Sequence, residues 1–90
     1  MSLSQLRYFV TVAEERHLGR AASRLRISQP PLTRQIRGLE DEIGVPLFRR
    51  TARGMELLPA GERFLGAARE VLAGVDRAVE QARGAVSRTR

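Results

Sequence analysis

Apolar residues recur at helical spacing in the first part of the chain. Over residues 4–16 they occupy the i, i+3, i+4 and i+7 positions of one helix face: Leu6, Phe9, Val10 and Ala13. This pattern predicts an amphipathic helix, with Ser4 as its N-cap because a serine hydroxyl can accept from a first-turn N–H. A break at residues 17–19 separates it from a shorter predicted helix, residues 20–25.

A third helix is predicted over residues 29–43, between Ser28 as its N-cap and Gly44, a typical C-terminal stop. Its apolar positions step by four, three and four residues to form a core face: Leu32, Ile36, Leu39 and Ile43. Pro30 and Pro31 fall in the first turn, where a missing N–H is tolerated, and they stiffen the backbone. We therefore expect the side chains of this turn to be presented rigidly.

The pattern then changes to two short extended segments, residues 46–49 and 55–58. They flank a basic, turn-rich stretch, residues 50–54, in which Gly54 suits a positive φ. We interpret the three segments as a small β-hairpin, which must rest on the helices because two strands this short are not stable alone.

The last segment, residues 60–86, contains no proline and carries a heptad-like row of apolar residues. The row steps alternately by three and four residues: Leu65, Ala68, Leu72, Val75, Val79, Ala82 and Val86. A helix of this length reaches about 40 Å, too long to bury the whole row on a core of about 60 residues. We therefore predict that its distal half needs a second chain.

Composition excludes several functional classes. The 90 residues make one small domain, and a hydrophobic content of 42% is enough for a core. The sequence has no cysteine and one histidine, which excludes disulfides, thiolate chemistry and multi-histidine metal sites. It shows no glycine-rich phosphate loop, membrane span or signal peptide. We expect a cytoplasmic protein with no membrane contact, cofactor, metal site or enzymatic activity.

The distribution of charge indicates a nucleic-acid partner. Sixteen arginines and ten acidic residues give a net charge of +6, and no acidic residue occurs over residues 16–37. The second and third predicted helices, joined by a tight turn, lie in this basic stretch. This arrangement suits DNA binding with the third helix in the major groove. Gln29 and Arg34 are candidates for reading base edges. Side chains with the reach for phosphates are Ser28, Thr33 and Arg37.

The predicted hairpin extends the basic surface. We expect Arg53, beside Gly54, to enter a neighbouring minor groove, and Arg49 and Arg50 to contact phosphates. His17 is interpreted as a solvated helix cap rather than as a ligand. The aromatic residues are expected in the core: Tyr8, Phe9, Phe48 and Phe64.

Three motifs follow one another along the chain. They are Ala21-Ala22-x-x-Leu25-x-Ile27-Ser28-Gln29-Pro30-Pro31-Leu32-Thr33-x-x-Ile36-x-x-Leu39-Glu40, then Ile43-Gly44-x-x-Leu47-Phe48-x-Arg50, and then Ala60-Gly61. In this order and spacing the sequence closely resembles the LysR-type transcriptional regulators. The match covers the whole chain, from Leu6-x-x-Phe9 to the long last helix.

The resemblance implies a mainly α fold. Residues 1–58 would form a winged helix-turn-helix domain of three helices and a two-stranded β wing. Residues 59–90 would form a linker helix that pairs antiparallel with its twin through the apolar row. The DNA contacts are then expected at Ser28, Gln29, Pro30, Pro31, Thr33, Arg34, Arg37, Arg49, Arg50 and Arg53.

The resemblance also implies a function. We expect sequence-specific binding to double-stranded DNA for transcription regulation at the nucleoid, by a dimer on an interrupted inverted repeat. Complete regulators of this family continue into a larger effector-binding domain and usually form tetramers. A small-molecule effector would then act only through a domain missing from this chain.

Two positions depart from the family pattern. Leu58 replaces a threonine that commonly caps the linker helix. Arg26 stands where generic helix-turn-helix motifs have glycine, so we do not expect a left-handed backbone there. Two other interpretations stay open: a coiled-coil protein-interaction module whose arginines only maintain solubility, and a basic domain that binds nucleic acid without sequence preference.

Overall fold

A computed structural model of the chain describes residues 1–88 and is mainly α-helical. The elements follow in the order α1 (Leu3–Glu15), α2 (Leu18–Leu25), α3 (Gln29–Ile43), β1 (Phe48–Thr51), β2 (Gly54–Leu57) and α4 (Pro59–Arg88). The predicted succession of three helices, a hairpin and a long helix is confirmed. The last two positions of the predicted segment 59–90 lie outside the described residues.

Two helices begin earlier than the sequence pattern indicated. The N-cap of α1 is Ser2, whose Oγ accepts from the backbone N–H of Gln5 at 3.0 Å, so the prediction of Ser4 was wrong. The predicted break at residues 17–19 is also wrong in extent, because α2 already begins at Leu18. His17 is its N-cap, and Nδ1 of the imidazole accepts from the Arg20 N–H at 3.1 Å.

Arg26 adopts the left-handed conformation that its side chain was expected to exclude, with φ 59° and ψ 41°. Such a backbone costs a non-glycine residue roughly 1–2 kcal/mol. Here it allows two hydrogen bonds that close the end of α2: Arg26 N–H donates to the Ser23 carbonyl, and Ile27 N–H donates to the Ala22 carbonyl. These are the bonds of a Schellman motif, so satisfied carbonyls offset the strain.

The core is organised around Phe9, which is fully buried in the middle of α1. Its ring lies 5.3 Å from that of Phe48 in β1 and 5.0 Å from that of Phe64 in α4, the latter edge to face. Aromatic pairs at these separations add to the hydrophobic contribution. Tyr8 is half-buried against the same core, so the four aromatic residues lie where the sequence predicted.

The turn of the hairpin is shorter than predicted, and both strands are shifted along the chain. Its strands pair antiparallel, with Phe48 opposite Leu57 and Thr51 opposite Gly54. The predicted strands 46–49 and 55–58 were therefore misplaced by one or two residues, and the turn consists of Ala52 and Arg53 alone. We call residues 48–57 the wing.

Hydrogen bonds to α3 and to the end of α1 fix the wing on the helices, and a further bond closes its base. At the start of β1, Glu40 of α3 accepts from the N–H groups of Leu47 and Phe48 through Oε2, at 2.7 and 3.2 Å. In β2, Met55 N–H donates to the Arg16 carbonyl at 3.0 Å. At the base, Leu58 N–H donates to the Leu47 carbonyl at 2.9 Å. Unsupported, two four-residue strands would not hold one orientation.

Helix α4 belongs partly to the domain and partly extends beyond it. Ala68 is only 2% exposed on the chain's own core, and Leu65 and Leu72 pack against the same core. Farther along, Val79 is 43% exposed and Ala82 is also exposed. The apolar row is therefore covered in its first half by the chain itself, whereas its second half faces solvent.

An ionic cluster at Glu14 connects three helices. The Glu14 carboxylate contacts Arg24 of α2 at 2.8 Å and Arg69 of α4 at 3.0 Å. Hydrogen bonds from Arg24 and then from Arg69 lower the pKa of the Glu14 carboxyl, because they stabilise its charged form. The cluster adds an ionic contact between α4 and the helices of the domain.

The lowered pKa of Glu14 predicts a pH-dependent part of the folding stability. A carboxyl whose pKa is lower in the folded state stabilises the fold above its ordinary pKa of 4.5, and this contribution disappears as the pH falls through the folded-state value. We expect Glu14→Gln to be less stable than the wild type near neutral pH and equally stable in strong acid. Urea unfolding followed by circular dichroism at a series of pH values measures this difference.

The control for this series is Glu70→Gln, which neutralises an exposed residue of α4. If the difference in unfolding free energy between the wild type and Glu14→Gln stayed constant with pH, it would contradict the lowered pKa of Glu14.

Candidate nucleic-acid interface

The exposed side of α3 presents most of the residues predicted to contact a nucleic acid. Ser28, Gln29, Pro30, Arg34 and Arg37 are exposed, while Pro31 and Thr33 are half-buried. The opposite side of the helix is held in the core by Leu32, Ile36 and Leu39. None of the predicted contact residues is turned into the interior, so all are accessible to a macromolecule.

The hydroxyl of Ser28 makes no capping hydrogen bond, although Ser28 is the N-cap of α3. A capping side chain accepts from the N–H of the second or third helical residue. These residues are Pro30 and Pro31, and neither has an N–H. The double proline therefore leaves the Ser28 hydroxyl available to a ligand, a consequence that the capping pattern in the sequence did not reveal.

Two clefts lie between α3 and the wing. The first, of about 210 Å³, is lined by His17, Gly19 and Gln29 on the helix side and by residues 50–55 on the wing side. The second, of about 130 Å³, is lined by Thr33 and Arg37 of α3 and by Arg50 and other residues. Arg50 borders both clefts, so helix and wing form one continuous surface.

Four arginines of this surface have no ion-pair partner within residues 1–88. Within the part of the chain that the structure describes, Arg34, Arg37, Arg50 and Arg53 have no carboxylate within 4.0 Å. The ion pairs with arginine instead involve Arg20, Arg24, Arg49, Arg69 and Arg83. Four guanidinium groups on one side of the molecule therefore keep their full charge available to an anion.

Arg49 stands apart from the other predicted contact residues. Its guanidinium pairs at 3.2 Å with Glu56, which lies directly opposite in the hairpin register. Because side chains alternate along a strand, Arg49 points to the other face of the wing from Arg50. Glu56 lines a cleft together with Ala13 and Arg16, and no residue of α3 lines that cleft.

Sequence reasoning missed the residues that position the wing. The Glu40 carboxylate accepts from backbone N–H groups, and the Arg16 carbonyl accepts from the wing, so neither contact joins two side chains that a sequence pattern could pair. Gly54 has φ +129°, and a Cβ there would overlap the Arg16 carbonyl oxygen. The positive φ of Gly54 was predicted from the turn, but its close approach to the end of α1 was not.

The described residues contain no candidate for two other kinds of site. Among residues 1–88, no three acidic or histidine side chains are grouped closely enough to hold a metal ion. No helix in the same range combines the length and hydropathy that crossing a bilayer requires.

The sequence matches a known protein family. The model of the family described as "Bacterial regulatory helix-turn-helix protein, lysR family" matches residues 3–62. The chain belongs to the LysR family. The match covers α1, α2, α3, the wing and the first residues of α4.

Relatives of this LysR-family chain carry the names of transcriptional regulators. It is 60% identical over 84 residues to the HTH-type transcriptional regulator BudR of Klebsiella aerogenes, a match over 93% of the chain and 59% of BudR. The chain covers 37% or less of four further curated relatives. It therefore spans less than two thirds of the length of the curated relatives it matches.

Solved structures similar to the LysR-family chain include complexes with DNA. The CbnR_DBD–DNA complex is 45% identical with a TM-score of 0.91, over 96% of the chain and 99% of that protein. BenM_DBD in complex with catB site 1 DNA is 42% identical with a TM-score of 0.93, over 97% and 98% respectively. The observed architecture is thus that of LysR-family winged helix-turn-helix domains.

The close contact at Gly54 predicts how the wing of this LysR-family domain can be displaced. In Gly54→Ala, the added methyl group meets the Arg16 carbonyl, and alanine is strained at this φ. We expect a loss of about 1–3 kcal/mol of folding stability and faster native-state hydrogen exchange of the Met55 amide, which donates to Arg16.

Gly66→Ala is the matched control, because a Cβ at Gly66 in α4 meets nothing within 4 Å. It should leave Met55 exchange unchanged and stabilise the helix slightly. Unchanged Met55 exchange in Gly54→Ala would show that this contact does not hold the wing.

Proposed function

We propose that this chain is the DNA-binding part of a transcription regulator, that it binds double-stranded DNA at specific sequences, and that it acts at the nucleoid in the cytoplasm rather than as an enzyme. The observation that carries the proposal is the surface of four unpaired arginines shared by α3 and the wing. Guanidinium groups gathered on one helix and the adjoining hairpin suit a phosphate backbone better than a face that only maintains solubility. Similarity to domains solved in complex with DNA supports the same function.

In this proposal α3 is the recognition helix and lies in the major groove. Gln29 and Arg34 read base edges, since a glutamine amide matches adenine and a guanidinium matches guanine. Arg37, Thr33 and the free hydroxyl of Ser28 bind phosphates, while Pro30 and Pro31 hold the first turn against the DNA.

The wing occupies the neighbouring minor groove in this proposal. Arg53 forms half of the two-residue turn and is exposed, so we place it in the groove. Arg50 binds a phosphate between helix and wing. Arg49 keeps only a peripheral phosphate contact, because its guanidinium already pairs with Glu56.

We further propose that two copies pair through α4, which would set two recognition helices on an interrupted inverted repeat. Support comes from the exposed second half of the apolar row. In the first half, Leu65, Ala68 and Leu72 contribute less to pairing because the domain's own core covers them. The pairing surface then consists of Val75, Val79, Ala82 and Val86. Residues 1–58, completed by the first half of α4, form the unit that contacts DNA.

The longer relatives support an assignment for the complete protein. We propose that the domain is joined to an effector-binding domain, in which a small molecule controls a tetramer, as the LysR-type resemblance implies. The chain described here would then bind DNA without that control.

Base reading and phosphate binding are separable by mutation. We expect Arg34→Ala to lose about 1–3 kcal/mol of affinity for a selected duplex and almost none for random duplexes, because it removes a contact to one base. Arg37→Ala should weaken binding to both by the same factor. Fluorescence anisotropy with duplexes of about 30 base pairs measures both affinities.

Gln35→Ala serves as the control, since Gln35 is exposed on the side of α3 where its carbonyl accepts from Gln5 of α1. Equal losses on every sequence for Arg34→Ala and Arg37→Ala would contradict the division of roles. Affinity for random duplexes as high as for selected ones would favour the non-specific basic domain.

The pairing surface is tested by a charge at Val79. Val79→Asp places a carboxylate in the proposed seam and should raise the dimer dissociation constant by at least about a hundredfold, measured by sedimentation. Gln81→Asp introduces the same group two residues away and off the row, and should remain dimeric. We choose Val79 over Leu72 because Leu72 also packs on the domain core. A dimeric Val79→Asp would place the interface elsewhere.

A further inference from the structure

His17 has one polar atom that the fold does not use. Nδ1 of its imidazole accepts from the Arg20 N–H and caps α2. An acceptor nitrogen carries no hydrogen, so the neutral ring holds its proton on Nε2. Nothing in residues 1–88 accepts a hydrogen bond from that N–H.

The ring of His17 lies in the cleft between the helices and the wing. The other residues lining this 210 Å³ cleft include Gln29 of α3 and Arg50 and Arg53 of the wing. Gly19 leaves room for the ring, because a Cβ there would come within 3.0 Å of His17 Cε1 and 3.8 Å of Gln29 Oε1. A free N–H donor and two unpaired guanidinium groups therefore border one concave space.

A protein with one element in the major groove and another in the adjacent minor groove must straddle the sugar-phosphate strand that separates these grooves. The cleft is the gap between the two elements, so this strand passes over it. We propose that His17 binds a backbone phosphate of the straddled strand through Nε2–H. The inference rests on the proposed function. It gives a DNA contact to a residue that the sequence pattern indicated only as a helix cap.

His17 differs from its arginine neighbours in the kind of contact it provides. A neutral imidazole donates one hydrogen bond to a phosphate without neutralising its charge. It fixes the position of the strand between α3 and the wing, whereas Arg50 and Arg53 supply the attraction. Loss of His17 should therefore weaken binding to all sequences alike.

Two substitutions separate the two roles of His17. His17→Ser keeps a good N-cap acceptor but is too short to reach a phosphate, whereas His17→Ala loses both. We expect the melting temperature to fall only in His17→Ala. The affinity of the 90-residue chain for a selected duplex and for random duplexes should fall about tenfold in both variants.

A phosphate scan then locates the contact. Uncharged methylphosphonate groups replace the phosphates of the selected duplex one at a time, and each duplex is titrated with the wild type and with His17→Ser. At one position the wild type should lose affinity and His17→Ser should lose much less, because the contact is already missing.

Two results would overturn the inference: normal affinity of His17→Ser with weak binding only by the unstable His17→Ala, or equal sensitivity of both proteins at every phosphate. The first would leave His17 as a helix cap alone. If the wild type itself showed no retention by duplex DNA, the proposed function would fail instead, so the two failures are distinguishable.

Discussion

The packing of Phe9 against Phe48 and Phe64 sets the geometry on which the surface depends. Phe9 belongs to α1, Phe48 begins the wing, and Phe64 lies in the first half of α4. One buried ring therefore joins the wing and the long helix to the helical body. The Glu40 carboxylate and the Arg16 carbonyl then accept hydrogen bonds from backbone N–H groups at the start of the wing and in β2, which fixes its direction relative to α3. Without these constraints, helix and wing would not remain at a fixed separation.

On this scaffold, some arginines form ion pairs that join helices, and others have no carboxylate partner among the residues that the structure describes. Glu14 and Glu15 hold Arg24, and Arg69 also pairs with Glu14, so these guanidinium groups tie helices together. The arginines on α3 and near the tip of the wing face no carboxylate in the described chain. The arginines that tie helices together are thus different residues from the four unpaired arginines of α3 and the wing.

The sequence predicted α3 within its observed bounds because Ser28 and Gly44 mark its ends and its apolar positions are regular. It failed where backbone geometry decides. The left-handed Arg26 depends on hydrogen bonds that no residue pattern encodes, whereas the capping by His17 was predicted and only the start of α2 was misplaced. The pairing of Arg49 with Glu56 required the hairpin register, which the short strands left undefined. The position of the wing depends on backbone contacts of Glu40 and Gly54 and was not predictable.

The central claim is that the unpaired arginines of α3 and the wing bind DNA, Arg37 and Arg50 at phosphates and Arg34 and Arg53 in the grooves. The salt dependence of binding to a selected duplex tests it most directly, because each neutralised phosphate releases condensed counterions. With about six phosphate contacts, the logarithm of the association constant should fall with the logarithm of the salt concentration with a slope near −5. A slope near zero would contradict the claim.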